Sequence, residues 1–416
     1  MTGKAANGSS NSIILILVLC AIAAALSSAA FAADWPHWRG PNYNGISEET
    51  GWLTEWPEAG PPVLWKKTIG VGFSTISVAD GKAYTMGNTD NTDTVFCFDA
   101  ETGEELWKHT YPQDLDPKYY EGGTLATPTV ADGKVYTVSK DGKAFCLDAK
   151  SGAELWKKNI LEDYDIKRTT WGISGSPFIF EDLVIYNASD AGLALKKNDG
   201  ALVWKNGAGP GGYSTAVPFT SAGKKCLTIA SEKHIVGVVA ATGEVLWKQR
   251  WQTQYEVNAA DPIIVDSNTF FISSGYNRGC ALMKVTDGKT ELLWDNKNIK
   301  NKMNASVLWK GCVYGVGEDG VLACLDVKTG QGKWEQRGFG QGSITIAGGK
   351  LVVLGEKGNL VIAEPTPEKY NPISEADILD GKCWTVPVLA NGRLYARDTT
   401  KETGHLVCLD LKPKTE

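Results

Sequence analysis

The chain has 416 residues, 43% of them hydrophobic and 22% charged, with 46 Gly, four His and a formal net charge of −6 at pH 7. Length alone allows two or three domains. The mildly acidic balance without a Lys/Arg cluster speaks against a nucleic-acid partner, and the scattered His37, His109, His234 and His405 show no metal-ligand spacing.

Residues 1–33 read as a secretory signal peptide. Lys4 supplies a positive start, and 13–26 is an uninterrupted apolar run of 14 residues, short of the roughly 20 a membrane span needs. Ala30-Phe31-Ala32 is a small-x-small cleavage signal, so the mature chain starts near Ala33 or Asp34. The expected location is periplasmic or secreted, and an uncleaved anchor is the alternative.

Residues 34–61 form an irregular arm with Trp35, Trp38, Trp52 and Trp56 among Pro and Gly. It is either a structural cap on a preformed body or a ligand lid using Trp35, Trp38 and Arg39.

From residue 62 onward the text repeats. Phe96-Cys97-Phe98-Asp99-Ala100-Glu101-Thr102-Gly103-Glu104-Glu105-Leu106-Trp107-Lys108 returns almost unchanged as Phe145-Cys146-Leu147-Asp148-Ala149-Lys150-Ser151-Gly152-Ala153-Glu154-Leu155-Trp156-Lys157. Further copies end at Trp204, Trp247, Trp294 and Trp334, in steps of 49, 48, 43, 47 and 40 residues. That period holds about four short strands and their turns, one propeller blade. Short alternating runs such as Lys134-Val135-Tyr136-Thr137-Val138, bounded by Asp-Gly and Thr-Gly turns, exclude a helical repeat. Complete blades read as 74–110, 127–160, 176–206, 216–251, 261–299, 305–338 and 343–379, the last with Glu364-Pro365-Thr366-Pro367 in place of the Thr-Gly-Trp signature. An eighth begins at Trp384 and stops without a Trp strand, whereas Val63-Leu64-Trp65-Lys66-Lys67-Thr68 is a Trp strand without a blade. Pairing the two closes the ring and leaves no open edge. The expected fold is all-β: an eight-bladed propeller of four-stranded antiparallel blades over 62–416, with 62–68 completing the last blade. Trp65, Trp107, Trp156, Trp204, Trp247, Trp294 and Trp334 are then blade-docking residues.

Beyond Cys20, eight cysteines remain. Cys97, Cys146, Cys324 and Cys408 share one slot before a Phe/Leu-Asp pair, in blades too far apart for a bridge; they read as small buried apolar groups. Cys312 and Cys324, on neighbouring strands of one blade, are a candidate bridge.

The blade text Asp-Ala-x-Thr-Gly-Glu-x-Leu-Trp-Lys resembles the pyrroloquinoline-quinone (PQQ) repeat, and the resemblance covers nearly all of 62–412. It implies an eight-bladed propeller in one of two branches. Quinoprotein dehydrogenases bind PQQ and Ca²⁺ and oxidise alcohols or sugars; BamB-like propellers bind partner proteins and carry no cofactor. The chain lacks the adjacent Cys-Cys pair and the Cys-x-x-Cys-His haem motif of the first branch, so it resembles the second more.

Propeller ligands bind near the central channel, at the loops leading into each innermost strand. Those loops offer Tyr120, Glu121, Trp171, Tyr213, Glu256, Asn258, Asn304, Gln341 and Trp384 as candidate ligand contacts, with Arg168 and Lys302 nearby. Glu121, Glu256, Asn258 and Asp261 are the oxygen donors Ca²⁺ would require; the alternative is that these loops only pack the ring centre. No Gly-x-Ser-x-Gly elbow or Walker loop occurs. The expectation is an exported monomeric scaffold that binds a protein or carbohydrate without catalysis, cofactor or metal. It would touch membrane only peripherally, through a partner. The alternative is a PQQ/Ca²⁺-dependent dehydrogenase acting on an alcohol or sugar.

Overall fold

The structure, a computed structural model, describes residues 33–413. The signal peptide and Cys20 lie outside the described residues, apart from Ala33. Eight antiparallel sheets form a ring, and among the described residues there is no helix. The first blade comprises Ser77–Ala79, Lys82–Thr89, Thr92–Asp99 and Glu105–Pro112. Six more follow in chain order, and the eighth joins Val63–Thr68 to the strands spanning 388–410. The first strands of successive blades touch one another and line the axis, while the Trp strands form the outer edges.

The repeat text makes each blade in the same way. Asp99 Oδ1 accepts from Glu101 N–H, Thr102 N–H and the Thr102 hydroxyl at 2.8–3.0 Å, fixing the turn before the outer strand. Asp148 and Asp326 do the same in their blades. These bonds favour the ionised form, and all three carboxyls sit below their ordinary pKa. Two residues before each Trp the register slips: Glu154 pairs with Leu147 but Trp156 with Cys146, leaving Leu155 as the bulge. This accounts for the exposed Leu64, Leu106, Leu155 and Leu293.

Each indole then docks on the next blade. Trp107 Nε1 donates to the Ala149 carbonyl at 3.1 Å, Trp156 to Lys197 at 2.8 Å, Trp204 to Ala240 at 3.1 Å and Trp294 to Val327 at 3.1 Å. The ring faces lie on the turn glycines. At Gly152, where φ is +72°, a Cβ would sit 2.6 Å from the Trp107 ring. The glycine therefore serves two needs: a positive φ and room for a neighbour's indole. Trp334 instead reaches the Thr366 carbonyl at 2.7 Å, so the Pro-rich segment replaces the missing Thr-Gly turn.

Cys97, Cys146, Cys324 and Cys408 each pair with a Tyr on one side and a Trp on the other, as in Tyr136, Cys146 and Trp156. All eight described cysteines are buried and free, so Cys312 and Cys324 are not bridged.

The arm is stitched into the ring. Trp35 exchanges backbone hydrogen bonds with Val78 in the first blade, and Val130 N–H donates to Pro36 in the second. Tyr43 packs on Phe178 of the third. Ile46–Ser47 adds a parallel strand beside Ser343–Ala347 of the seventh. Glu49 accepts from the Asn391 and Gly392 N–H groups of the eighth. The seventh blade has no Trp on its outer strand, and Trp52 fills the core between it and the eighth, beside Leu360, Leu379, Leu394 and Leu409.

Candidate ligand-binding site

At the end of the ring where loops enter the inner strands there is a cavity of about 240 Å³. Its wall is an aromatic arc. Trp384 stacks on Phe73 with centroids 5.1 Å apart, Phe73 meets Tyr120 at 5.9 Å, and Tyr120 meets Trp171 at 6.1 Å. Tyr119, 99% exposed, stands at the rim against Trp171. Tyr213, Asn304, Ser174 and Tyr276 add to the lining, as do Lys118, Lys302 and Met303. Burial pushes the Tyr120 hydroxyl up to about 12, so it stays a neutral donor.

The loop carrying Lys118, Tyr119 and Tyr120 is tied at its base. Arg168 bridges Asp116 at 3.0 Å and Asp141 at 2.6 Å, and Lys140 Nζ donates to the Leu115 carbonyl at 2.7 Å. Trp384 is held by its N–H on Glu356 Oε1 at 2.8 Å. Trp38 of the arm contributes to the lining, its N–H on Asp261 Oδ2 at 2.6 Å. Thr215 N–H takes Asp261 Oδ1 at 2.7 Å, and Arg39 Nε lies 3.8 Å away. Burial raises the Asp261 pKa, and Arg39 opposes this.

Of the nine residues singled out from sequence, Tyr120, Trp171, Tyr213, Asn304 and Trp384 line this cavity. The other four do not. Glu121 is chelated by Lys382 at 2.7 and 2.8 Å. Glu256 pairs with Lys233 at 3.0 Å. Asn258 is 1% exposed and spends its amide on the Ser231, Glu232 and Trp251 carbonyls. Gln341 lies beside the adjoining crevice near Glu318. Sequence reasoning missed Lys118 and Tyr276 as lining residues, and Glu356 as the support of Trp384. It leaves the arm as a cap or a lid using Trp35, Trp38 and Arg39; Trp38 lines the cavity while bonded to Asp261.

A Ca²⁺-bound quinone would need six to eight oxygen ligands. Glu121, Glu256, Asn258 and Asp261 are all engaged elsewhere. Among the described residues no group of three or more His, Cys, Asp or Glu could hold a metal. The residues present do not fit that group.

The family model described as outer membrane protein assembly factor BamB matches residues 50–159 and 91–336. No curated protein matches the chain. Among solved structures, BamB from Moraxella catarrhalis is 17% identical, with 85% of this chain and 100% of that one covered at a TM-score of 0.60. The quinohemoprotein alcohol dehydrogenase ADHIIG from Pseudomonas putida HK5 is 14% identical, with 92% and 81% covered at 0.67. That from Comamonas testosteroni is 15% identical, with 94% and 82% covered at 0.65. At these identities the structural likeness concerns the fold, and it extends to both branches. With the family model matched over most of the chain and the blades docked Trp on Gly, the chain belongs to the BamB-like family of PQQ-repeat propellers.

Proposed function

We propose that this protein is an exported, non-catalytic binding scaffold, periplasmic or secreted once residues 1–33 are removed, whose central cavity takes the ligand. The observation that carries this is the chemistry of the lining. It presents an aromatic arc, with no His and a single carboxylate, Asp261. Asp261 is occupied by Trp38, Thr215 and Arg39, so no free carboxylate or imidazole faces the cavity as a general base. The ligand is a carbohydrate or a protein group; the likeness to BamB, an outer membrane protein assembly factor, supports an interaction role. Any membrane contact runs through a partner, and the protein acts as a monomer.

The test has two arms. The protein starting at Ala33 is incubated with PQQ and Ca²⁺, then assayed for quinone absorbance and for dye reduction with an alcohol or a sugar. Neither is expected, and dye reduction would establish the dehydrogenase alternative. A saccharide panel read by Trp fluorescence should give a response that Trp384→Ala removes.

A further inference from the structure

We propose that the group bound in the cavity is a single six-membered ring carrying a carboxylate, as in a uronic acid or an aromatic acid. This rests on the cavity being the ligand site. Two ammonium groups, Lys118 and Lys302, line it against the one spent carboxylate of Asp261. Lys302 is half-buried and pairs with no carboxylate among the described residues; its Nζ lies 5.4 Å above the Tyr276 ring. The nearby Glu318 is held by the Tyr276 and Asn277 N–H groups at 2.6 and 2.7 Å. Lys118 shares Asp116 with Arg168 and Lys140, and with Asp141 on Arg168 two carboxylates face three cations. Lys382 differs: Glu121 neutralises it, and it is not part of the lining.

An unmatched cation on an apolar wall attracts an anion more strongly than it would in water, because the surroundings screen less. A neutral sugar could still bond to Asn304 Oδ1 and the Ser174 hydroxyl, but it would leave the Lys302 ammonium unmatched. Phe73, Tyr120, Trp171 and Trp384 give the wall flat apolar surface suited to a ring, with the Lys382 ammonium 4.3 Å over the Trp384 ring. At about 240 Å³ the cavity falls below the roughly 300–1,000 Å³ of drug-sized sites, room to enclose about one ring.

The experiment titrates the protein starting at Ala33 with D-galacturonate, D-galactose and benzoate at low and high salt, followed calorimetrically. At least one anion should bind roughly tenfold or more tighter than galactose, a difference of about 1.4 kcal/mol, and weaken with salt. Lys302→Gln should remove about that tenfold while leaving the melting curve unchanged, and Lys302→Arg should restore it. Galacturonate alone identifies a sugar acid, benzoate alone an aromatic acid, and both identify the shared carboxylate. Galactose binding as tightly as either anion, with loss only in Trp384→Ala, would overturn the charge requirement while leaving the cavity as the site. Binding of none of the three would overturn this inference. Dye reduction by quinone-loaded protein would sink the underlying reading instead.

Discussion

Trp65 pairs with Cys408 across the closing sheet, joining the first strand after the arm to the last strand of the chain. Its indole then reaches forward into the first blade, donating to the Ala100 carbonyl at 3.3 Å and covering Gly103, where a Cβ would lie 2.7 Å from the ring. The seam carries further ties. Arg397 of the eighth blade, 1% exposed, donates to the Ser74 and Met86 carbonyls at 2.7 Å each, and the Tyr395 hydroxyl also reaches Ala100 at 3.2 Å. Ring closure thus uses the same Trp-on-Gly contact as the seams of Trp107, Trp156, Trp204 and Trp294, with a buried arginine added.

Trp65→Ala removes that contact and should cost about 3–5 kcal/mol. Gly103→Ala should also destabilise, since it meets both a positive φ and the indole. Calorimetric melting of each variant checks this; a Trp65→Ala protein that melts like wild type would mean the ring does not depend on its closing strand.

Trp247 departs from the pattern. Its indole N–H finds no acceptor among the described residues, and it packs on Phe219 and Phe270 with centroids 6.2 and 5.1 Å away. The fifth blade has Thr286-Asp287-Gly288-Lys289 where the first, second and sixth have an Asp-x-x-Thr/Ser-Gly turn. Gly237 occupies the slot of the repeated Cys, and a Cβ there would lie 2.2 Å from Trp247. Trp156→Phe should therefore lose about 1 kcal/mol more than Trp247→Phe, the net worth of one hydrogen bond. Equal losses in chemical denaturation would refute the distinction.

The ring was legible because the same text returns in successive blades, so one reading of Asp148 to Trp156 served for its copies. The arm has no copy to be compared with. Its Ile46–Ser47 strand and its Trp52 plug are fixed by the seventh and eighth blades, some 300 residues later. The site divided along the same line. Aromatics on the entry loops were readable by position, but the fate of each carboxylate depends on a distant cation. Glu121 meets Lys382 across 261 positions, a contact that exists only once the ring is closed.

The eight described thiols should stay silent until the protein unfolds. Burial pushes the Cys97, Cys280, Cys324 and Cys408 thiols up to about 12, and Cys146 to about 11, so little thiolate exists near neutral pH. Without reductant, the folded protein should react slowly with a thiol reagent and the denatured protein should release all eight groups. Six groups on denaturation, with a Cys312–Cys324 peptide pair by mass spectrometry, would show a bridge instead.

Asp93 should make stability fall as pH rises. It is 1% exposed, and desolvation lifts its pKa to about 6, against the Asn88 amide at 2.7 Å and the field of Lys140. A carboxyl whose folded pKa lies above the unfolded value near 4 binds more protons when folded, so its contribution is full below pH 4 and lost between pH 4 and 6. Asp93→Asn should match wild type near pH 4 and exceed it above pH 6.5 by on the order of 3 kcal/mol at most. Denaturant titrations at the two pH values check this, and an Asn variant weaker than wild type at the higher pH would mean the carboxylate is well satisfied.

Asp261 fastens the arm to the ring centre, and its loss should be felt in both stability and binding. Arg39 is 3% exposed, and apart from Asp261 its charge meets only the Asn44 and Ser306 carbonyls, at 3.0 and 2.8 Å. Its Nε and Nη1 have no hydrogen-bond partner. Asp261→Ala leaves this guanidinium buried and uncompensated, a change worth about 3–5 kcal/mol. It also frees the Trp38 indole, so cavity binding should weaken in the same variant. The rest of the arm stays fixed, through Trp35 on Val78, Ile46 on Ile346 and Glu49 on Gly392, so the ring should still close. Replacing both partners, Arg39→Met with Asp261→Leu, removes the stranded charge and should recover much of the stability but not the binding, because Trp38 still lacks its acceptor. Melting curves and ligand titrations on the same three proteins separate the two effects. Recovery of binding in the double variant would show that Trp38 holds its place by packing alone.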